Sequence, residues 1–195
     1  MNLRYAAAAM IIFAVFSLGM VVYVTWYTVS NAANYESTQQ AIAAVTDANP
    51  YLVLVFNLIT TFLAVAAYLG FARVGEMLRS KAVRLSSLSL VSLTILGFLL
   101  WFLFSGTFIK SLSIASSLAF YILTALVGLA FLASVLVLGI GLVANSSRAR
   151  IAEVVGLLYI VGSALTPIIF GFLIIFVGNL VAAKMFLDLA NKSGK

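Results

Sequence analysis

Long apolar runs separated by short polar breaks make up most of the chain. A bilayer-spanning helix needs roughly 20 apolar residues, and the breaks leave runs of that order. The first runs from Ala6 to Thr28, behind Arg4, and closes on Tyr23, Trp26 and Tyr27, aromatic side chains that favour the headgroup level. The second runs from Tyr51 to Phe71, the third from Ser86 to Ile109 and the fourth from Leu118 to Val143. The last, Val154 to Ala183, is too long for one upright span and too short for two comfortable ones, with Thr166-Pro167 in its middle. One long, tilted helix kinked at Pro167 is the simpler expectation; a hairpin of two short helices turning near Pro167 to Gly171 is the alternative. The pattern predicts an all-α fold, a polytopic transmembrane helical bundle of five spans, or six if the last stretch is a hairpin at Pro167.

The breaks complete the organisation. Residues 1–195 read as one transmembrane helical domain with an extracytoplasmic loop at 29–50 and a basic cytoplasmic connector at 72–85. The first run is too long for a signal-peptide core of about 7–15 residues, so an uncleaved anchor is expected. In the polar segment from Asn31 to Asn49, Tyr35 to Val45 has the makings of a short interfacial helix, and Asn49-Pro50 is a stop and restart signal. Arg73, Glu76 and Arg79 follow helical i,i+3 spacing while Phe71, Val74 and Leu78 share another face, so the second helix is expected to protrude beyond the bilayer before turning. Ser111 to Ser117 and Asn145 to Arg150 form the next two turns. Tyr68 to Phe102 and Gly139 to Phe172 echo each other weakly as helix end, basic turn and apolar run, as composition alone can produce.

Composition sharpens the class. Hydrophobic residues are 65% of the chain and charged residues 8%, against about 25% charged in a soluble domain. So few charges cannot cover a surface facing water. The net charge of +6 comes from basic residues flanking the spans, which points to topology and anionic headgroups rather than nucleic acid. A cytoplasmic N-terminus places the topogenic residues Arg73, Arg79, Lys81, Arg84, Arg148 and Arg150 inside, together with Arg4, and Lys110 outside. With five spans Lys184, Lys192 and Lys195 also fall outside; with six they return inside. Charge therefore prefers six spans and length prefers five, and five is the expectation.

Candidate chemistry is sparse. The chain has no Cys and no His, so thiolate and imidazole chemistry by its own side chains is excluded. Glu36, Asp47, Glu76, Glu153 and Asp188 all fall in loops or at span ends, and no span carries a charge at its centre, against the pattern of proton pumps and ion exchangers. Many Ser residues occur, but no His or intramembrane Asp or Lys is there to activate one. No catalytic residue, metal site or cofactor is expected. What remains is a polar patch of Asn57, Thr60 and Thr61 on the second span and Asn179 in the last, expected to make interhelical polar contacts worth about 0.6–2 kcal/mol each. Small residues four apart, Ala130 with Ser134, Ala152 with Gly156 and Gly178 with Ala182, mark close helix approaches. Trp101, Phe102, Phe104 and Phe108 cover several faces of their helix and suit contact with lipid or a neighbouring subunit.

The C-terminal third carries a resemblance. Ile151-Ala152-Glu153-Val154-Val155-Gly156-Leu157-Leu158-Tyr159-Ile160-Val161-Gly162, then Leu165-Thr166-Pro167-Ile168-Ile169-Phe170-Gly171-Phe172-Leu173-Ile174-Ile175-Phe176 and Ala182-Ala183-Lys184-Met185-Phe186 resemble small archaeal multi-pass membrane proteins of unassigned function. The resemblance covers roughly a quarter of the chain and implies a helical membrane protein; it supplies no catalytic residues.

The functional expectation follows from the missing chemistry. It is a non-catalytic accessory or structural subunit of a larger membrane complex in the plasma membrane, of the energy-converting, respiratory type by class frequency. Its partners would be membrane lipids and other membrane subunits, with no nucleic acid. The alternative is a small transporter or channel using the Asn57, Thr60, Thr61 and Asn179 patch.

Overall fold

A computed structural model of the chain describes residues 2–30, 50–104, 114–166 and 170–193. Among the described residues there are six long helices: α1 (Leu3–Ser30), α2 (Pro50–Met77), α3 (Lys81–Phe104), α4 (Ile114–Ala144), α5 (Arg150–Leu165) and α6 (Phe170–Ser193). A single 3-10 turn, Ser146–Arg148, lies between α4 and α5. Each helix packs on its neighbours in sequence, and α1 also packs on α6, which closes the bundle into a ring. Neighbours run antiparallel. Arg4 at the start of α1 donates to Asn191 near the end of α6 (3.3 Å), and a Cβ on Gly75 near the end of α2 would meet the Arg84 backbone near the start of α3. The chain is thus an all-α, multi-pass membrane protein in which α1, α2, α3, α4 and α6 are long and apolar enough to cross a bilayer.

The last apolar stretch departs from the expected single kinked helix. It divides into α5 and α6, which pack against each other as a hairpin. Pro167 has no N–H to offer the Ser163 carbonyl, so the helical ladder cannot pass it. The Thr166 N–H takes that carbonyl instead at 3.4 Å, and the Thr166 hydroxyl donates to Gly162 O at 2.8 Å. Glycine then lets the two helices close up: a Cβ on Gly162 would stand 2.6 Å from Ile175 Cγ1, and one on Gly171 would collide with the Gly162 carbonyl and the Thr166 amide. The consequence reaches the chain's far end. Lys184 and Lys192 return toward the side of Arg4, not to the opposite face expected with five spans.

Other boundaries shift modestly. α2 runs on to Met77, past the expected span end at Phe71, as its charge spacing predicts. The connector at 72–85 is mostly helix, with Leu78 to Ser80 as its turn. That turn has a defined cap. The Ser80 amide reaches Gly75 O (2.8 Å) and the Arg79 amide reaches Glu76 O (3.1 Å), with Arg79 in the left-handed region at φ 54°. Ser80 Oγ then accepts the Val83 amide at 3.4 Å and caps α3. The expected interfacial helix at Tyr35 to Val45, Lys110, Phe108 and Pro167 itself lie outside the described residues. The two segments that echo each other are both helical hairpins, but α3 has 24 residues where α5 has 16.

The tight core sits toward the end of the ring where α1, α3 and α5 begin. Ala6 and Met10 of α1, Phe71 and Val74 of α2, Val83 and Leu90 of α3, Leu138 and Leu142 of α4, Val155 of α5, and Met185 and Phe186 of α6 are buried there. Phe71 is its hub. Its ring meets Phe186 at 4.8 Å and Tyr159 at 5.7 Å, both edge-on, while Tyr68 meets Phe131 at 6.1 Å. Edge-to-face aromatic pairs of this kind contribute about 0.5–1.5 kcal/mol beyond their area. The reason the core lies at one end is helix length. At a rise of 1.5 Å per residue, α5 covers about 24 Å while α1 and α4 cover about 42 and 46 Å. Beyond the reach of α5 its long neighbour α4 loses cover, while α1 stays on α2, where Phe16 stacks on Phe56 at 5.5 Å. Six consecutive positions on α4, Tyr121 to Leu126, are exposed, so the whole circumference is uncovered. On α1 the exposed set past Ala14 includes Val15, Phe16, Leu18, Val21, Val22, Tyr23 and Trp26.

Candidate functional site

Among the described residues all the charged residues except Lys184 lie toward the densely packed end. Arg4, Arg73, Arg79, Lys81, Arg84, Arg148, Arg150 and Lys192 all occupy the helix ends or turns there, with Glu76, Glu153 and Asp188. Glu76 accepts from Arg73 at 2.7 Å and lies 3.9 Å from Arg84, both pairs well exposed, so solvent screens them and they add little to stability. An open cleft of about 410 Å³ separates the beginning of α5 from the end of α6, with Arg150, Asp188, Asn191 and Lys192 on its walls. Among the described residues no group of three or more Asp or Glu side chains is placed to hold a metal ion.

Inside the ring, polar side chains are few and mostly bonded to their own helix. Asn57 Nδ2 donates to Val53 O at 2.9 Å and Thr60 Oγ1 to Phe56 O at 2.9 Å. Thr61, on the same helix, is half-buried. On α3 the Ser86 and Thr94 hydroxyls return to Ala82 O and Leu90 O at 2.7 Å each. On α4 the Ser134 hydroxyl reaches Ala130 O at 2.9 Å, and this small-residue pair faces outward rather than into a contact. Ala152 with Gly156 and Gly178 with Ala182 are buried. Hydroxyls bonded back to the i−4 carbonyl have their donors satisfied within their own helix.

Asn179 is different. It is buried, and its Oδ1 accepts the Tyr159 hydroxyl at 2.8 Å across the α5–α6 contact. Asn57 is not its partner. Tyr159 packs on Phe71, and Asn57 lies fourteen residues before Phe71 on α2, about 21 Å along the helix. Asn179 thus makes its interhelical polar contact within the hairpin, with Tyr159. Tyr159 was not singled out in the sequence, although it shares a buried stripe with Ala152, Val155, Gly156 and Ser163 at helical spacing. Ser163, one turn beyond Tyr159 on that stripe, is the buried hydroxyl without a partner among the described residues. Asp188, Asn191 and Lys192 were also missed, because they come next to Arg150 only once the last stretch folds back. Trp101 and Phe102 are half-buried around Phe98, at ring distances of 6.3 and 6.2 Å.

No protein-family model matches this chain, and no curated protein and no solved structure matches it at a significant level.

Proposed function

We propose that the chain is a non-catalytic structural subunit of a larger membrane protein complex, oriented with its basic end in the cytoplasm. The orientation rests on the positive-inside rule, which places arginine- and lysine-rich turns on the cytoplasmic side. The observation that carries the functional reading is the uncovered circumference of α4 from Tyr121 to Leu126, together with the apolar side chains that α1 leaves exposed between Val15 and Trp26 beside its contact with α2. A self-sufficient bundle packs its long helices along their length; α4 is uncovered all round over these six positions, and α1 keeps wide exposed faces. Trp26 is 63% exposed and Leu129 64% exposed. Such surfaces suit helices of another subunit, with lipid completing the contact, because association in a bilayer depends on close packing rather than on hydrophobic transfer.

The interior supports the same reading. Aromatic side chains fill the ring's core, and Asn57 and Thr60 of α2 and Ser86, Ser87, Ser92 and Thr94 of α3 donate to their own backbones, which leaves fewer donors for a transported solute. The test is purification from native membranes in mild detergent, with the mass of the assembly and its stoichiometry measured. A defined hetero-complex that loses stability when this chain is deleted supports the proposal. Isolation as a lone monomer or homodimer that carries solute flux in liposomes would replace it with a transporter.

A further inference from the structure

The cleft between α5 and α6 combines features that suit one class of ligand. Its polar wall carries two cations from different helices, Arg150 on the first turn of α5 and Lys192 on the last turn of α6. Asp188 shares the wall, yet among the described residues the direct ion pairs are those of Glu76 with Arg73 and Arg84, so it is in salt-bridge contact with neither cation. A third cation is held at the rim: Arg4 of α1 donates to Asn191 Oδ1 at 3.3 Å. The floor is apolar, made of Ala149, Ile151 and Leu189. Lys184 is exposed two turns back from Lys192 on the same stripe of α6 as Asp188, where a long side chain can reach outward along the helix.

The position of the cleft matters as much as its lining. It lies where a membrane helix ends among basic turns, which is headgroup depth in a bilayer. We propose that it binds the headgroup of an anionic phospholipid from the adjoining leaflet. The phosphodiester sits between Arg150 and Lys192 with Arg4 alongside, headgroup hydroxyls bond Asp188 and Asn191, and the glycerol end lies over Ile151 and Leu189. A phosphate diester accepts from guanidinium and ammonium groups and has no proton to meet the Asp188 carboxylate; hydroxyls do. The excess of cations over the one carboxylate selects an anionic lipid over a zwitterionic one. A lipid there ties together α1, α5 and α6, the seam at which the ring closes.

The test uses the full chain in detergent micelles equilibrated with phosphatidylglycerol or phosphatidylcholine, with bound lipid counted by native mass spectrometry. Arg150→Gln/Lys192→Gln is compared with Lys81→Gln/Arg84→Gln, which removes the same charge at the α2–α3 turn. All four side chains are exposed, and circular dichroism checks that both variants keep their helices. The wild type is expected to retain phosphatidylglycerol over phosphatidylcholine, and the cleft variant to lose that retention by about tenfold or more, from roughly 1 kcal/mol per basic residue at a membrane surface. The turn variant should stay near wild type, and excess inorganic phosphate should not displace the lipid. Equal loss in both variants would reduce the effect to the general basic field and overturn the site. Displacement by inorganic phosphate, or equal retention of phosphatidylcholine, would overturn the lipid as its ligand.

Discussion

Replacing Gly156 with alanine should loosen the α4–α5 contact, although alanine is the better helix former. Gly139 and Gly156 face each other with their backbones almost touching. A Cβ on Gly156 would lie 2.6 Å from the Gly139 carbonyl oxygen, 2.7 Å from Val143 Cγ2 and 3.0 Å from the Val143 amide nitrogen. A Cβ on Gly139 would lie 2.8 Å from the Gly156 carbonyl. Ordinary contact begins at 3.4 Å, so the carbonyl must retreat by about 0.8 Å, and as part of a hydrogen-bonded helix it cannot swing aside. The two helices must separate as bodies. A gap of about 0.5–1 Å forfeits a quarter to a half of each van der Waals well along the seam. Overpacking of this kind costs about 1–3 kcal/mol, and the gain in helix propensity offsets about 1 kcal/mol of it. The net expectation lies between no change and a loss of about 2 kcal/mol, which is about 1–3 kcal/mol below a glycine-to-alanine change that meets no neighbour. Gly128 supplies the control, since nothing lies within 4 Å of a Cβ built there; Gly128→Ala should gain up to about 1 kcal/mol from propensity alone. Unfolding of both variants in mixed micelles with graded SDS, followed by helical circular dichroism, reads the difference. If Gly156→Ala proves as stable as Gly128→Ala, the close approach of α4 and α5 is wrong.

Three further outcomes follow from single contacts. Tyr159→Phe leaves the buried Asn179 carbonyl oxygen without its donor and should destabilise the chain by about 1–3 kcal/mol in the same titration, while Asn179→Leu placed in that background should recover part of the loss. Arg79→Gly removes a Cβ from a left-handed cap residue and should raise stability by about 1 kcal/mol, seen as a higher SDS midpoint. Because α5 and α6 form a hairpin, single cysteines at Asn2 and Lys192, in a chain with no other cysteine, should react with an impermeant thiol reagent from the same face of sealed vesicles; labelling from opposite faces would restore the single kinked helix.

The helices were legible in the sequence because a bilayer demands long apolar runs, and α1 to α4 meet that demand with clear polar breaks. The hairpin was legible only as an alternative. The apolar stretch around Pro167 satisfies the bilayer either way, and what separates the two outcomes is side-chain fit at a distance: Gly162 against Ile175, and Tyr159 against Asn179. Apolar periodicity cannot supply that, since residues facing lipid and residues facing protein are equally apolar. Hence Phe71, the hub of the core, looks no different in sequence from the exposed Phe62 nine residues earlier. The polar residues within spans divide for a related reason. Asn57 and Thr60 donate to their own i−4 carbonyls, whereas Asn179 accepts from Tyr159 on the neighbouring helix, and the sequence does not distinguish the two cases. The basic turns were placed by charge alone, but the cleft they build needed the return of α6 beside Arg150.

Photo-crosslinking from the exposed apolar faces of α1 and α4 tests the subunit reading most directly. A photoreactive residue replaces Val21 on α1 or Leu126 on α4, both exposed, and Leu142 in the core serves as the control. After irradiation of native membranes, the proposed function predicts a discrete adduct with one other membrane protein from Val21 and Leu126 and none from Leu142. Adducts only with lipid or with a second copy of the chain would contradict it.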